Sequence, residues 1–189
     1  MPEIASRFMG KVTNVFEKRG CVGFGLQDGA MVVEGSELLF VNGERYSHHQ
    51  TVRSVQINSH SVQVVAPGER CAIRIDDFCE MLPPNNSNVF MSRGPQAGVS
   101  GKGIVSRVFH DPDTIGIRLE EGVLCEGDWI IIHGDDDYRH EQCAVSIDVR
   151  AVDPDAAVTG RKFGVLLDVD PDIGLPVEGD NVTVISIKK

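Results

Sequence analysis

Three groups of side chains in this chain have the types and spacing to do chemistry: clustered carboxylates, scattered imidazoles, and cations close to aromatic rings. The carboxylates fall in four runs, Asp111-Pro-Asp113, Asp135-Asp136-Asp137, Asp153-Pro-Asp155 and Asp168-Val-Asp170-Pro-Asp172. The last alternates acids as a calcium loop does, but its glycine, Gly174, comes one place late and the twelfth position is Gly179 instead of Glu. These runs are expected to be solvated acidic loops, and no metal is assigned. His48-His49, His133 and His140 are good transition-metal ligands by type, yet no third ligand stands at a zinc-like spacing, and His60 is expected in a separate loop.

Nothing in the chain assembles a catalytic group without arbitrary choice, so an enzyme is not expected and no catalytic residue is named. The five cysteines, Cys21, Cys71, Cys79, Cys125 and Cys143, are odd in number and contain no Cys-x-x-Cys pair. Reduced, mostly buried thiols are expected, with neither a disulfide framework nor a zinc knuckle. Cys71 falls on the inward side of an alternating strand, which makes it inert. The remaining group is basic: Lys11, Lys18, Arg19, Arg45 and Arg53, with Tyr46 and Phe16 nearby in sequence, is suited to a small stacking surface.

Composition narrows what these residues can serve. The 189 residues are 41% hydrophobic, enough for a core without staples. No apolar run is long enough to span a bilayer as a helix, so no membrane association is expected. The N-terminus, Met1 to Phe8, lacks the charged start and apolar run of a secretory signal, and a cytoplasmic chain is expected. Net charge is −10, but unevenly placed: residues 1–97 hold ten acids and nine bases, residues 98–189 eighteen acids and nine bases. The second half should repel a polyanion, so contact with nucleic acid is expected through the first half only.

The elements that must position these groups are strands. Val and Ile together number 39 against 18 for Ala and Leu, a balance that favours β-structure. Sliding the sequence along itself shows a long repeat. Gly10-Lys-Val-Thr-Asn-Val-Phe16 recurs 93 positions later as Gly103-Ile-Val-Ser-Arg-Val-Phe109, and Val22, Phe24 and Leu26 fall on Ile115, Ile117 and Leu119. After one extra residue near Val33 the offset becomes 92, matching Glu34-Gly35-Ser36 to Glu126-Gly127-Asp128 and Leu38 and Phe40 to Ile130 and Ile132. Pro83 to Asn88 then aligns with Pro176 to Asn181 at 93. A period this long marks a duplicated domain.

Within each copy the matched apolar residues alternate, as half-buried strands require. Five to seven short strands separated by turns suggest closure into a barrel. The expected fold is all-β: two tandem small Greek-key-like β-barrels, residues 1–93 and 99–189, with 94–98 as a hinge. Touching barrels and a groove at their contact are also expected. Where the second copy has Gly179, the first has Asn86, the next-best residue for positive φ, so a left-handed turn is expected at both. Strand parity puts Trp129 and Ile131 opposite the inward Ile130 and Ile132, free to fill an interface or meet a partner.

The order Gly-x-Val, an alternating strand, Gly-x-x-x-x-Glu-Gly-Asp, Ile-x-Ile, Ser-Val/Ile and then Pro-Gly or Thr-Gly resembles the second domain of translation GTPases such as elongation factor Tu. It looks closer still to the stand-alone and peptidase-associated relatives of that barrel. The resemblance covers Gly10 to Met91 and Gly103 to Ile185 and implies a translation-factor domain 2-type barrel in each copy. The chain lacks the Gly-x-x-x-x-Gly-Lys-Ser/Thr loop, since Gly10-Lys11 is followed by Val12 and Gly101-Lys102 by Gly103, so GTP hydrolysis is not implied. No RNA-contact residue carries over. The leading expectation is a non-catalytic module that binds a protein partner, with no cofactor; Lys11, Lys18, Arg19, Arg45, Tyr46, Arg53, Trp129 and Ile131 are its candidate contacts. An RNA or transfer-RNA accessory role is the second. A riboflavin-synthase-like tandem barrel is the third, faintly echoed by Arg7-Phe8-Met9-Gly10.

Overall fold

A computed structural model of the chain describes residues 7–76, 81–94, 96–110, 113–148, 156–158, 162–168 and 174–188. Its regular structure is β throughout, apart from one 3₁₀ turn at Glu17–Arg19. The chain divides into two compact units, Met1–Gln96 and Ala97–Lys188. Gln96 to Gly98, placed by sequence in the connector, already belong to a strand, Gln96–His110. Cys79, Asp111, Asp153, Asp155, Asp170 and Asp172 lie outside the described residues.

In the first unit the strands are β1 (Arg7–Phe16), β2 (Cys21–Leu26), β3 (Val32–Val33), β4 (Glu37–Asn42), β5 (Tyr46–Thr51), β6 (Val55–Ile57), β7 (His60–Val62), β8 (Val64–Val65), β9 (Arg70–Arg74) and β10 (Asn88–Arg93). Eight of them form one sheet in the order β5-β4-β10-β1-β2-β9-β6-β7, and β3 pairs with β8. The strands outnumber those expected because several are only two or three residues long, and His60 opens one of them instead of sitting in a loop. Alternation works as sequence parity requires: Met9, Val12, Val22, Phe24, Leu38, Phe40, Val55, Cys71, Ile73 and Val89 point inward to one buried cluster.

The second unit has β11 (Gln96–His110), β12 (Asp113–Cys125), β13 (Trp129–His133), β14 (Arg139–Cys143), β15 (Ile147–Asp148), β16 (Ala156–Val158), β17 (Lys162–Leu166) and β18 (Asn181–Lys188). Its sheet order is β14-β13-β18-β11-β12-β17-β15, with β16 on β12. The pairings repeat those of the first unit at the sequence offsets: Val12 opposes Phe24 as Val105 opposes Ile117, and Leu38 opposes Gln50 as Ile130 opposes Gln142. Even the bulges coincide, between Val12 and Asn14 and between Val105 and Arg107. A second cluster, including Ile115, Ile117, Leu119, Leu124, Ile130, Ile132, Val182 and Val184, fills this unit.

Two details explain why particular residues recur. A Cβ on Gly10 would collide with the Gly25 carbonyl oxygen, and one on Gly103 with that of Arg118, so the paired strands admit only glycine there. At the later turn Asn86 has φ 67° and Gly179 φ 101°, the left-handed backbone that the Asn-for-Gly exchange predicts.

Each sheet is curled. In a flat sheet β5 and β9 would lie five strand spacings apart, about 24 Å at 4.8 Å each. Instead Gln50 Nε2 on β5 donates to the Arg74 carbonyl on β9 at 2.9 Å, and the Asp76 N–H donates to Gln50 Oε1 at 3.2 Å. The second unit repeats the seam: Gln142 Nε2 donates to the Leu166 carbonyl at 2.8 Å, and the Asp168 N–H donates to Gln142 Oε1 at 2.9 Å. A side-chain amide thus stands in for the peptide group of a missing strand, and the fold is all-β and barrel-like.

Candidate functional site

A recess lies on the outer face of the first unit, a cleft of about 270 Å³ across β1, β2, β9 and the β6–β7 turn. Its floor is set by the ladder. Gly23 opposes Asn14 on one side and Ala72 on the other, and Gln56 opposes Ala72 in turn. The two central residues are small, so the backbone is accessible between longer walls. A Cβ on Gly23 would come within 3.3 Å of the Phe16 ring, which shows that this ring lies against β2. Phe16 remains 42% exposed.

The walls are polar and basic. Arg19 stands where the 3₁₀ turn ends, fixed by Gly20 at φ 61°, whose N–H donates to the Glu17 carbonyl. Arg70 points outward by strand parity from β9, next to inward Cys71. Asn58 and Ser59, at φ 49° and 70°, form the two-residue turn between β6 and β7 and bring their side chains to the rim. No Asp, Glu or His lines the cleft, and neither guanidinium has an ion-pair or side-chain hydrogen-bond partner among the described residues. Cys71 lies beneath it; burial, with Glu69 adding to it, pushes its thiol up to about 12, so it is protonated and unreactive at neutral pH. A second thiol, Cys21, also lines the cleft and donates to the Arg19 carbonyl at 3.3 Å; the cleft is equipped to hold an anion and an apolar group.

Of the cations singled out from sequence, only Arg19 lines this cleft. Lys18 is its exposed neighbour in the 3₁₀ turn, and Lys11 lies exposed on β1 opposite Gly25. Arg45 sits in the β4–β5 turn, where the Tyr46 hydroxyl donates to the Met81 carbonyl at 3.0 Å. Arg53 is exposed and 3.8 Å from Asp76. Arg70 was not singled out; its signal is the alternation of Arg70, Cys71, Ala72 and Ile73, which puts a cation on the outer face of a central strand.

In the second unit Trp129 is partly buried and Ile131 fully buried, and neither belongs to the apolar cluster of that unit. The counterpart of the cleft is altered there. Arg107 occupies the place of Asn14 and lies over the Phe109 ring, 5.2 Å from its centroid. Phe109 is 42% exposed, as Phe16 is, but its face is taken by the chain's own guanidinium.

Two of the histidines serve the seams. His48 Nε2 lies 3.0 Å from Gln50 Oε1, and His140 Nε2 lies 2.9 Å from Gln142 Oε1. Because each Gln oxygen already faces a backbone N–H, the imidazole must donate, which puts a proton on Nε2 in both. His49 Nε2 is 2.9 Å from Ser92 Oγ. Asp135, Asp136 and Asp137 are exposed in the β13–β14 turn, with Asp136 and Asp137 at φ 54° and 63°. Among the described residues no three His, Cys, Asp or Glu side chains converge as metal ligands would. Nor does any described helix have the length and apolarity to cross a membrane.

Comparison with family models gives no match, and comparison with curated proteins gives none either. Solved structures similar to part of the chain include the C-terminal domain of a Geobacillus thermoleovorans protein assigned to the U32 peptidases. Its selenomethionine form is 14% identical, covering 45% of this chain and 98% of that one, with a TM-score of 0.38. A second structure of that domain is 13% identical, covering 47% and 93%, also at 0.38.

Proposed function

We propose that the chain is a non-catalytic binding module, built from two elongation factor domain 2-like barrels, whose first unit engages a protein partner through the cleft at Phe16, Arg19 and Arg70. The observation that carries this is the pairing of two guanidiniums, unpartnered among the described residues, with an exposed ring over a floor of Gly23 and Ala72, in a recess that no described carboxylate or imidazole lines. Guanidiniums and aromatic rings are the side chains that contribute most to protein contacts. The buried thiol beneath them, Cys71, is held protonated, and no described acid or imidazole lines the cleft to activate its other thiol, Cys21, which supports binding as its chemistry. Affinity capture from the native cell with the wild-type chain and with an Arg19→Ala/Arg70→Ala variant tests this. A captured protein lost with the variant is the expected result, and identical capture by both chains would overturn the reading.

An RNA role is favoured by one feature, the exposed Phe16 ring beside Arg19, since bases stack on such rings. Against it stands the near balance of ten acids and nine bases in residues 1–97, which leaves no excess of cations to neutralise phosphates. Transfer RNA binding measured at two salt concentrations decides: no affinity at low salt removes this reading.

A further inference from the structure

Resting on the binding-module reading, we propose that the occupant of the first-unit cleft is an acidic segment of a protein, whose carboxylates are taken by Arg19 and Arg70 while an apolar neighbour covers Phe16. Charge complementarity selects this occupant. The chain as a whole is strongly acidic, yet no acid lines this cleft and two guanidiniums face into it without partners among the described residues. Guanidinium binds carboxylate in a planar, two-pronged geometry that a hydrated ammonium cannot match.

The same charge balance argues against a nucleic-acid strand. Tight binding to a phosphate backbone needs many cations in a row. Here two arginines line the cleft, in a half of the chain that holds ten acids and nine bases. A short peptide needs only the local field, because charges farther than a screening length of about 8–10 Å contribute little. The small floor suits an extended backbone: Gly23 and Ala72 let a main chain come close, and the amides and hydroxyl of Asn14, Gln56, Asn58 and Ser59 at the rim can exchange hydrogen bonds with peptide groups.

The duplication supplies a control. The Cβ of Asn14 is 3.5 Å from a Cβ placed on Gly23, and that of Arg107 is 3.5 Å from one placed on Gly116, so the two positions are geometrically alike. In the second unit the residue there is an arginine laid over the ring. The first unit, with the shorter Asn14, keeps its ring available.

The test is fluorescence anisotropy on the full chain with three probes: a labelled peptide alternating glutamate with glycine and carrying one leucine, the same peptide with glutamine for glutamate, and a labelled single-stranded RNA of equal charge. The glutamate peptide should bind, lose affinity as salt is raised, and lose about tenfold with Arg19→Ala or Arg70→Ala. The glutamine peptide and the RNA should bind more weakly. Asn14→Arg adds positive charge but covers Phe16, so it should weaken peptide binding; a gain would show diffuse attraction and overturn the proposal. Tighter binding of RNA than of the glutamate peptide would overturn it as well. If capture of the native partner depends on Arg19 and Arg70 while the glutamate peptide does not bind, the acidic-segment proposal fails and the binding-module reading stands.

Discussion

Gln50 and Arg74 lie at strands five places apart in the same sheet, yet the Gln50 amide nitrogen donates to the Arg74 carbonyl at 2.9 Å. His48 secures the other end of that amide, and the trio of His48, Gln50 and Asp76 recurs as His140, Gln142 and Asp168. One predicted consequence concerns burial. Gln50 is buried whereas Gln142 is only partly so, although the bonds are the same. Gln50→Leu strands the part-buried Asp76 N–H and Arg74 C=O and should cost about 2 kcal/mol, while Gln142→Leu, whose bonds are exposed, lets water replace part of the loss and should cost about 1 kcal/mol. Urea unfolding followed by circular dichroism measures both; equal losses would mean that burial does not set the cost.

Gly10 and Gly20 should respond differently to alanine. A Cβ at Gly10 would collide with the Gly25 carbonyl oxygen, so Gly10→Ala must shift one strand against another, a cost of about 3 kcal/mol or more. Gly20 has φ 61° and open space around it, so Gly20→Ala should cost only about 1 kcal/mol from the left-handed backbone. Thermal unfolding of the two variants separates a steric from a conformational penalty.

Ser59→Gly should stabilise the chain. Ser59 has φ 70° at the second position of the β6–β7 turn, where glycine is preferred. Relief of that conformation, offset by the greater freedom of glycine when unfolded, should leave a gain of about 0.5 kcal/mol. The same change removes a rim hydroxyl, so the variant should unfold at higher urea while binding the glutamate peptide less well.

Alkaline pH should destabilise the fold through two protonated groups. The Cys71 thiol is raised from 9.0 to about 12 by burial and then by Glu69, and the Tyr138 phenol from 10.0 to about 12 by burial and then by Asp180. Both pKa values are raised on folding, so their contribution is fully present below about pH 9 and is lost as pH rises toward 12, first through Cys71 and then through Tyr138. Unfolding curves between those limits should steepen less in Cys71→Ala. Tyrosinate absorbance should show one phenol resisting ionisation until about pH 12 in the folded chain and losing that resistance in urea.

Much of the architecture was legible in the linear order of residues. Alternation of apolar side chains identified Val22, Phe24 and Leu26 and their counterparts Ile115, Ile117 and Leu119 as inward, because a strand's period of two is a local property of the backbone. The exchange of Gly179 for Asn86 announced a left-handed turn for the same reason, since positive φ is a steric matter within one residue. Repetition at 93 and 92 carried those local rules across both halves, while Phe16 and Arg19 are neighbours in the sequence itself, at the tight turn that joins β1 to β2.

Only the tertiary structure decided what met across the sheet. Arg70 joins Arg19 at the cleft because β9 pairs with β2, an adjacency that no spacing in the chain encodes. His48 and Gln50, unremarkable as an i, i+2 pair on an edge strand, become a seam because twist accumulates strand by strand until β5 returns to β9. The burial of Ile131 was likewise beyond parity, which assigns a side chain to a face but not what covers that face. Local periodicity is set by neighbouring peptide units, whereas curl, closure and the grouping of distant cations depend on every strand at once.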